Sequence, residues 1–109
     1  MVSNYQVKKG PYFDHDIDRL QAFLLANDCS EKTIQRYFNE IYHSMTKLKT
    51  NPRIGANLST KTSIPNEYRY VVSGQYLIFY KVFDGEKIVR VYRVFHGKEN
   101  YLVKLGLSV

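Results

Sequence analysis

The fold of this chain is decided by residues 68–101, which read YRYVVSGQYLIFYKVFDGEKIVRVYRVFHGKENY. The stretch holds three runs rich in Val, Ile, Phe and Tyr, residue types that favour β-strands. Asp84 and Gly85 separate the second run from the third, and an Asp-Gly pair favours a hairpin because it tolerates the positive φ angles of a type I′ turn. The sequence therefore predicts a three-stranded meander that ends in the polar cluster of residues 96–100.

The length of the turn sets the register of the predicted hairpin. A two-residue turn at Asp84 and Gly85 predicts four facing pairs: Phe83 with Glu86, Tyr80 with Val89, Phe79 with Arg90, and Tyr76 with Arg93. This register places Arg93 beside an aromatic ring, as in a structural cation–π pair. A three-residue turn with a bulge instead shifts the register by one and turns one strand's side chains to the opposite face.

The chain before this stretch predicts a strand and a first helix. Residues 4–9 alternate polar and apolar side chains before Gly10 and Pro11, which predicts a strand at or near the edge of the sheet. Asp14 or Asp16 then caps a helix that ends near residues 27–28. Its apolar positions follow the helical period, at Ile17, Leu20, Phe23 and Leu24.

A second, longer helix follows the first after about two residues. Ser30 caps it, and the Asn51-Pro52 pair ends it just after Lys49. Its apolar stripe consists of Ile34, Tyr37, Phe38, Ile41, Met45 and Leu48. Two amphipathic helices with so short a connection lie antiparallel and bury their stripes against a flat partner, here the sheet.

The predicted fold class is therefore α+β, with an N-terminal strand and an antiparallel helix hairpin packed on one face of a small antiparallel sheet. We expect the other face to be partly open, basic and rich in Tyr. Residues 53–65 are predicted to form a polar loop, and residues 100–107 a short helix or a final strand.

Length and cysteine content favour a single cytoplasmic domain over residues 1–109. A chain of 109 residues is close to the commonest domain size. Cys29 is its only cysteine, which fits a reducing compartment and indicates neither an internal disulfide nor a metal site. No cofactor is predicted. The first ten residues lack an apolar signal core, and residues 70–80 are the longest uncharged stretch, too short to span a membrane.

The positive charge is concentrated in the later part of the chain. Residues 1–31 hold three Lys and Arg against five Asp and Glu, a net charge of −2, whereas residues 32–109 hold thirteen against five, a net charge of +8. A basic surface of this kind predicts an anionic partner, either nucleic acid or an acidic protein. The plainer alternative is a solvated basic surface with no partner.

Four segments occur in an order that matches a known family. They are residues 51–55 (NPRIG) after the long helix, Tyr68 and Arg69 at the start of the meander, residues 75–82 with Tyr80, and the ending of residues 93–96 (RVFH). In this order the chain resembles the RelE/ParE superfamily of toxins from bacterial type II toxin–antitoxin modules, over nearly its whole length. The resemblance rests on the collinear set rather than on any single motif.

The resemblance implies one of two activities. RelE-like toxins cut mRNA in the ribosomal A site, whereas ParE-like toxins poison DNA gyrase and are not known to cleave anything. RelE-like enzymes carry a basic residue where this chain has Arg69, but they add a second base where it has Val71 and an arginine where it has Tyr76 and Leu77. These departures favour a gyrase inhibitor over an mRNA endoribonuclease. A third hypothesis is a domain of this fold that has lost toxicity.

If the protein is a nuclease, its chemistry needs groups that move protons at the 2′-hydroxyl and the leaving oxygen and that stabilise charge on the phosphate. The candidate catalytic residues are His96, Arg69, Arg93, Lys98 and Tyr101. We expect Arg69, Arg93 and the segment after Phe95 to gather their cationic groups on an accessible surface. The plainer alternatives are a strand-end His96 bonded to a backbone carbonyl and a surface pair of Arg69 with Glu67 or Glu99.

The resemblance also implies a protein partner. Such toxins are held inactive by a cognate antitoxin whose C-terminal segment, often acidic, folds onto the toxin. Physically this is coupled folding and binding along a basic surface and an apolar groove. We expect the two helices to supply the groove.

Overall fold

The computed structural model describes residues 4–108 of the protein. Within this range the strands are β1 (Gln6–Lys9), β2 (Ala56–Asn57), β3 (Arg69–Ser73), β4 (Tyr76–Phe83) and β5 (Ile88–His96), and the α-helices are α1 (Phe13–Ala26), α2 (Glu31–Thr46) and α3 (Tyr101–Lys104). Two 3-10 turns, Lys47–Lys49 and Leu58–Thr60, complete the regular elements of this range. None of these helices combines the length and the apolar character needed to cross a membrane.

All five strands belong to one sheet, in the order β1-β5-β4-β3-β2. β3, β4 and β5 form the predicted antiparallel meander, and β1 lies at the edge, as predicted. β1 runs parallel to β5, so the sheet is mixed rather than wholly antiparallel. The chain leaves β1 at Gly10 and enters α1 directly. The Gly10 N–H donates to the Val91 carbonyl at 2.7 Å, which extends the parallel pairing by one hydrogen bond. β2 lies within the segment predicted to be a loop.

The turn between β4 and β5 is longer than predicted. Phe83 pairs with Ile88, so the turn has four residues, and Lys87 rather than Gly85 adopts a positive φ, of 54°. Asp84 fixes this turn from outside the hairpin, because its carboxylate accepts hydrogen bonds from Tyr5 and Arg53. Contacts with distant parts of the chain therefore override the local preference of Asp-Gly for a two-residue turn.

A bulge shifts the β4–β5 register a second time. Tyr80 pairs with Val91, but Phe79 pairs with Arg93, so Tyr92 is the extra residue on β5. The four predicted facing pairs are therefore wrong. Arg93 lies opposite Phe79 instead of Tyr76.

The helix hairpin covers one face of the sheet, which we call the helix face. Ser30 caps α2 as predicted, since its Oγ accepts the Thr33 amide at 3.2 Å. α1 begins after Tyr12, so Asp14 and Asp16 both lie in its first turn rather than at its cap. The predicted stripes are buried or half-buried except for Phe23, which is 59% exposed. The α+β fold class is thus confirmed, with a helix hairpin against one side of the sheet.

The opposite side, which we call the outer face, is closed at one end. There Leu77, Phe79 and Phe95 form a second apolar cluster with Leu58 and Leu107. Residues 58–64 and 101–107 therefore cover this end. The sequence predicts a short helix or a final strand for residues 100–107, and α3 is that short helix. The other end retains half-exposed or exposed polar side chains. We call these two regions the covered end and the open end.

Candidate functional site

Arg69 and Arg93, two of the candidate nuclease residues, lie on opposite faces of the sheet. Arg69 pairs with Tyr80, which belongs to the helix-face core, whereas Arg93 pairs with Phe79, which belongs to the outer-face cluster. Directly paired residues share a face, and successive residues of a strand point to opposite faces. The expected gathering of both arginines on one accessible surface is therefore wrong.

Arg69 fastens the chain before β2 to the sheet. Its Nη1 donates to the carbonyl of Gly55 at 2.8 Å and to that of Arg53 at 3.3 Å. The Gly55 N–H in turn donates to the buried Tyr80 hydroxyl at 2.9 Å, and burial raises the pKa of Tyr80. A Cβ at Gly55 would lie 2.6 Å from that hydroxyl, so only glycine fits there. Arg69 thus bonds to backbone carbonyls instead of the predicted glutamates.

Arg93 forms a bidentate ion pair with Asp16 of α1. Nε donates to Oδ2 at 2.8 Å and Nη2 to Oδ1 at 2.9 Å, and Oδ2 also accepts the Val94 N–H at 3.0 Å. Asp16 is completely buried, and its hydrogen bonds raise the pKa of Arg93. The guanidinium packs against the rings of Phe95 and Tyr12, not Tyr76. This contact holds the free edge of β5 against α1.

The importance of Asp16 is not apparent from its residue type, but its spacing offers a signal. The buried positions of α1 are Phe13, Asp16, Leu20 and Leu24. Asp16 therefore occupies a core position of the helical stripe. A carboxylate at such a position needs a cationic or hydrogen-bonding partner in the interior, although the spacing does not identify that partner.

His96 at the end of β5 has both ring nitrogens engaged. Nδ1 accepts the Lys98 backbone N–H at 3.1 Å, and Nε2 lies 3.0 Å from Oε1 of Gln75. Both contacts are satisfied together by the neutral tautomer protonated at Nε2. The ring also packs edge-on against Tyr76, with centroids 5.5 Å apart. To act as a base, His96 would have to give up its hydrogen bond from the Lys98 backbone N–H. The ring nitrogens make these two contacts instead of the predicted hydrogen bond to a backbone carbonyl.

A cavity of about 630 Å³ lies beside His96, lined by Arg19, Phe23, His96, Lys98, Glu99 and Lys104. Glu99 accepts from Arg19 at 2.8 Å and from Lys104 at 2.9 Å. Burial alone would raise the pKa of Glu99, but these hydrogen bonds outweigh it and hold that pKa below its ordinary value. Five of the six lining residues thus carry polar or charged side chains, and His96 and Lys98 of the predicted set are among them. Within residues 4–108, no group of three or more His, Cys, Asp or Glu side chains is placed to hold a metal ion.

Tyr101, the last candidate, contributes to the apolar packing of the covered end. Its ring lies 5.2 Å from that of Phe79, measured between centroids. It does not line the cavity beside His96. The pKa of the Lys61 amine is raised. The largest cause is its electrostatic interaction with Tyr101, and the next is a hydrogen bond with Tyr70. The structure thus brings His96 and Lys98 together and leaves Arg69, Arg93 and Tyr101 in other contacts.

A second concave surface, the edge groove, lies between α2 and the edge of β3. It consists of two adjoining cavities of about 720 and 460 Å³ that share Ser44 and Val72. Within the described chain, β2 pairs with only two residues of β3, which leaves the outer edge of residues 71–73 without a strand. Val72 is 62% exposed and Ile54 is 52% exposed, and Arg36 and Lys47 line the groove. This surface joins apolar area, positive charge and a free strand edge.

Comparison with known proteins identifies a family and several solved structures of similar fold. The family model described as the ParE toxin of the type II toxin–antitoxin system parDE matches residues 7–101. A search of curated proteins found no significant match. A chain of the RelBE2 toxin–antitoxin complex from Mycobacterium tuberculosis has a TM-score of 0.58 at 15% identity, over 88% of this chain and 94% of that chain. The isolated RelE toxin of E. coli has a TM-score of 0.55 at 14% identity, over 94% of each chain. At such identity the two structures indicate a shared fold.

Proposed function

This chain belongs to the ParE toxin family of type II toxin–antitoxin systems, and we propose from that premise that it arrests bacterial growth by binding and poisoning DNA gyrase. The family match covers most of the chain and agrees with the resemblance found in the sequence. On this proposal the protein is a binding inhibitor with no catalytic step of its own.

The observation that carries the proposal is the dispersal of the candidate nuclease groups. Cleavage of RNA requires a base, an acid and cationic groups within hydrogen-bonding reach of one phosphate. Arg69 and Arg93 are held in contacts on opposite faces, and His96 has both ring nitrogens engaged. The sequence places Val71 and Tyr76 where the RelE-like arrangement has further basic groups.

Ribosome-dependent mRNA cleavage is the alternative, and one observation favours it. His96, Lys98 and Glu99 together line a cavity large enough to admit part of a nucleotide. These residues offer a proton carrier, a cation and a carboxylate at one place. A nuclease built on them would need a different arrangement from the one that the RelE resemblance implies.

Two assays on the purified protein separate these activities. We expect it to inhibit supercoiling by gyrase and to leave ribosome-bound mRNA uncut in primer extension. His96→Gln should then arrest growth as the unchanged protein does. Cuts in ribosome-bound mRNA, with normal supercoiling and a loss of about 10²- to 10⁴-fold in His96→Ala, would establish the nuclease instead. Growth that continues normally during induction would favour the third hypothesis, loss of toxicity.

We further propose that the antitoxin segment binds in the edge groove. An acidic segment would meet Arg36 and Lys47, bury Val72 and Ile54, and pair its backbone with the free edge of β3. On this proposal the groove is supplied by α2 and the edge of β3, whereas from the sequence we expect the two helices to supply it.

Paired variants test this placement. Val72→Asp and Arg36→Glu should each abolish co-purification with the antitoxin and its rescue of growth, because they add negative charge where an acidic segment binds. Val103→Asp is the matched control, since Val103 is similarly exposed but lies on α3 outside the groove. If Val103→Asp disrupts the complex and Val72→Asp does not, the segment binds elsewhere.

A further inference from the structure

The open end of the outer face carries a row of cations on three neighbouring strands. Lys8 of β1 pairs with Arg90 of β5, and Arg90 pairs with Lys81 of β4. Directly paired residues lie side by side on one face, and strands are about 4.8 Å apart, so the row extends over roughly 10 Å. We call Lys8, Arg90 and Lys81 the cation row.

Two tyrosines adjoin the cation row. The Lys81 ammonium lies 4.5 Å from the ring centroid of Tyr68 and 5.3 Å from that of Tyr92. The two rings meet edge to face, with centroids 5.6 Å apart, and both side chains are half-exposed. Positive charge and aromatic faces therefore alternate across this part of the sheet.

The cations of the row have no carboxylate partner among residues 4–108. The ion pairs of that range use Lys9, Arg19, Arg53, Arg93 and Lys104. Like charges on directly facing positions of neighbouring strands destabilise a sheet. The row thus carries an electrostatic cost in the free protein that a bound polyanion would relieve.

We propose that this surface binds single-stranded nucleic acid, with phosphates on the cation row and unpaired bases stacked against Tyr92 and Tyr68. Alternating cations and aromatic rings on an open sheet suit a single strand, whose phosphates and base faces are both accessible. An acidic polypeptide would gain less here, because its carboxylates could pair with the cations but it offers no flat bases to stack against Tyr68 and Tyr92. This activity goes beyond gyrase inhibition and antitoxin binding.

Fluorescence anisotropy with a labelled oligothymidylate of about 15 nucleotides measures the association constant K over a range of salt concentrations and tests the proposal. Three phosphate contacts predict that log K falls with log salt at a slope of about −2, since each contact contributes about −0.7 for single strands. Removing two contacts in Lys81→Ala/Arg90→Ala should reduce the slope to about −0.7 and weaken binding at every salt concentration. Tyr92→Ala should lower affinity by about fivefold or more and leave the slope unchanged.

The control is Lys32→Ala/Lys49→Ala, which removes the same charge from exposed positions of the helical layer. It should keep both the affinity and the slope of the unchanged protein. Equal losses in the two double variants would overturn the proposal, because they would show attraction to net charge alone. Preference for polyglutamate or for duplex DNA over the single strand would also overturn it. Neither gyrase nor ribosomes are present, so failure here is distinguishable from failure of the proposed gyrase activity.

Discussion

The two ends of the outer face use the same kinds of charged residue for opposite purposes. At the covered end Arg93 is bonded to Asp16, and Glu99 is shared by Arg19 and Lys104. At the open end the cation row has no carboxylate partner within the described chain. Charge at the covered end therefore holds elements together, whereas charge at the open end remains available to a ligand.

The net charge of the chain does not distinguish the covered end from the open end. The net charge of +8 in residues 32–109 includes paired cations such as Arg93 together with unpaired ones such as Arg90. Only the position of the carboxylates separates the two kinds. Substitutions at the two ends should accordingly act on different measured quantities, stability at one end and affinity at the other.

The largest effect is expected from Asp16→Ala, which removes the buried carboxylate that binds Arg93 at the covered end. It leaves the Arg93 guanidinium and the Val94 N–H without their partner, and losing one member of a buried ion pair costs about 3–5 kcal/mol. For a domain of this size that loss lowers Tm by roughly 12 °C or more. Thermal and urea unfolding measure it.

Two further variants sharpen this prediction. Asp14→Ala removes an exposed carboxylate from the same helical turn, where its contact with Lys9 is 4.0 Å long, and should change stability by less than about 0.5 kcal/mol. Asp16→Leu/Arg93→Met removes both charges together and should recover much of the loss, because no unpaired charge remains. Equal stability of Asp14→Ala and Asp16→Ala would show that the pair is not structural.

A smaller effect is expected from Glu99→Gln, and it depends on pH. The pKa of Glu99 is lowered in the folded protein, so its stabilisation is fully present above the ordinary value of 4.5 and is lost as pH falls through the folded value. The variant should lose about 1 kcal/mol at neutral pH and approach the unchanged protein in acid. Urea midpoints measured from pH 7 down to pH 3 give the comparison, and parallel curves at all pH values would contradict it.

Much of the fold could be predicted from sequence because its signals are local. The helical stripes, the Ser30 cap and the three strands follow from residue spacing over short distances. The hairpin register could not be predicted this way. It depends on Asp84, whose partners Tyr5 and Arg53 are 79 and 31 residues away in the chain.

The candidate site shows the same limit more sharply. The sequence predicts Arg69 and Arg93 as candidate site residues, but their partners are backbone carbonyls of a loop and a carboxylate 77 residues distant. Neither kind of partner can be inferred from residue type. Only His96 and Lys98, two residues apart, could be placed together reliably, because the chain itself keeps them close.

The smallest effect on stability is expected from Lys81→Ala/Arg90→Ala at the open end. Removing adjacent like charges should stabilise the sheet, while losing the Lys81 contact with Tyr68 and Tyr92 should destabilise it by a comparable amount. We therefore expect a net change within about 0.5 kcal/mol in urea unfolding at 0.1 M salt. Added salt screens the repulsion between exposed charges, so the variant should become slightly less stable relative to the unchanged protein as salt rises. A loss above about 2 kcal/mol would mean that these cations are structural like Arg93, and the contrast between the two ends would fail.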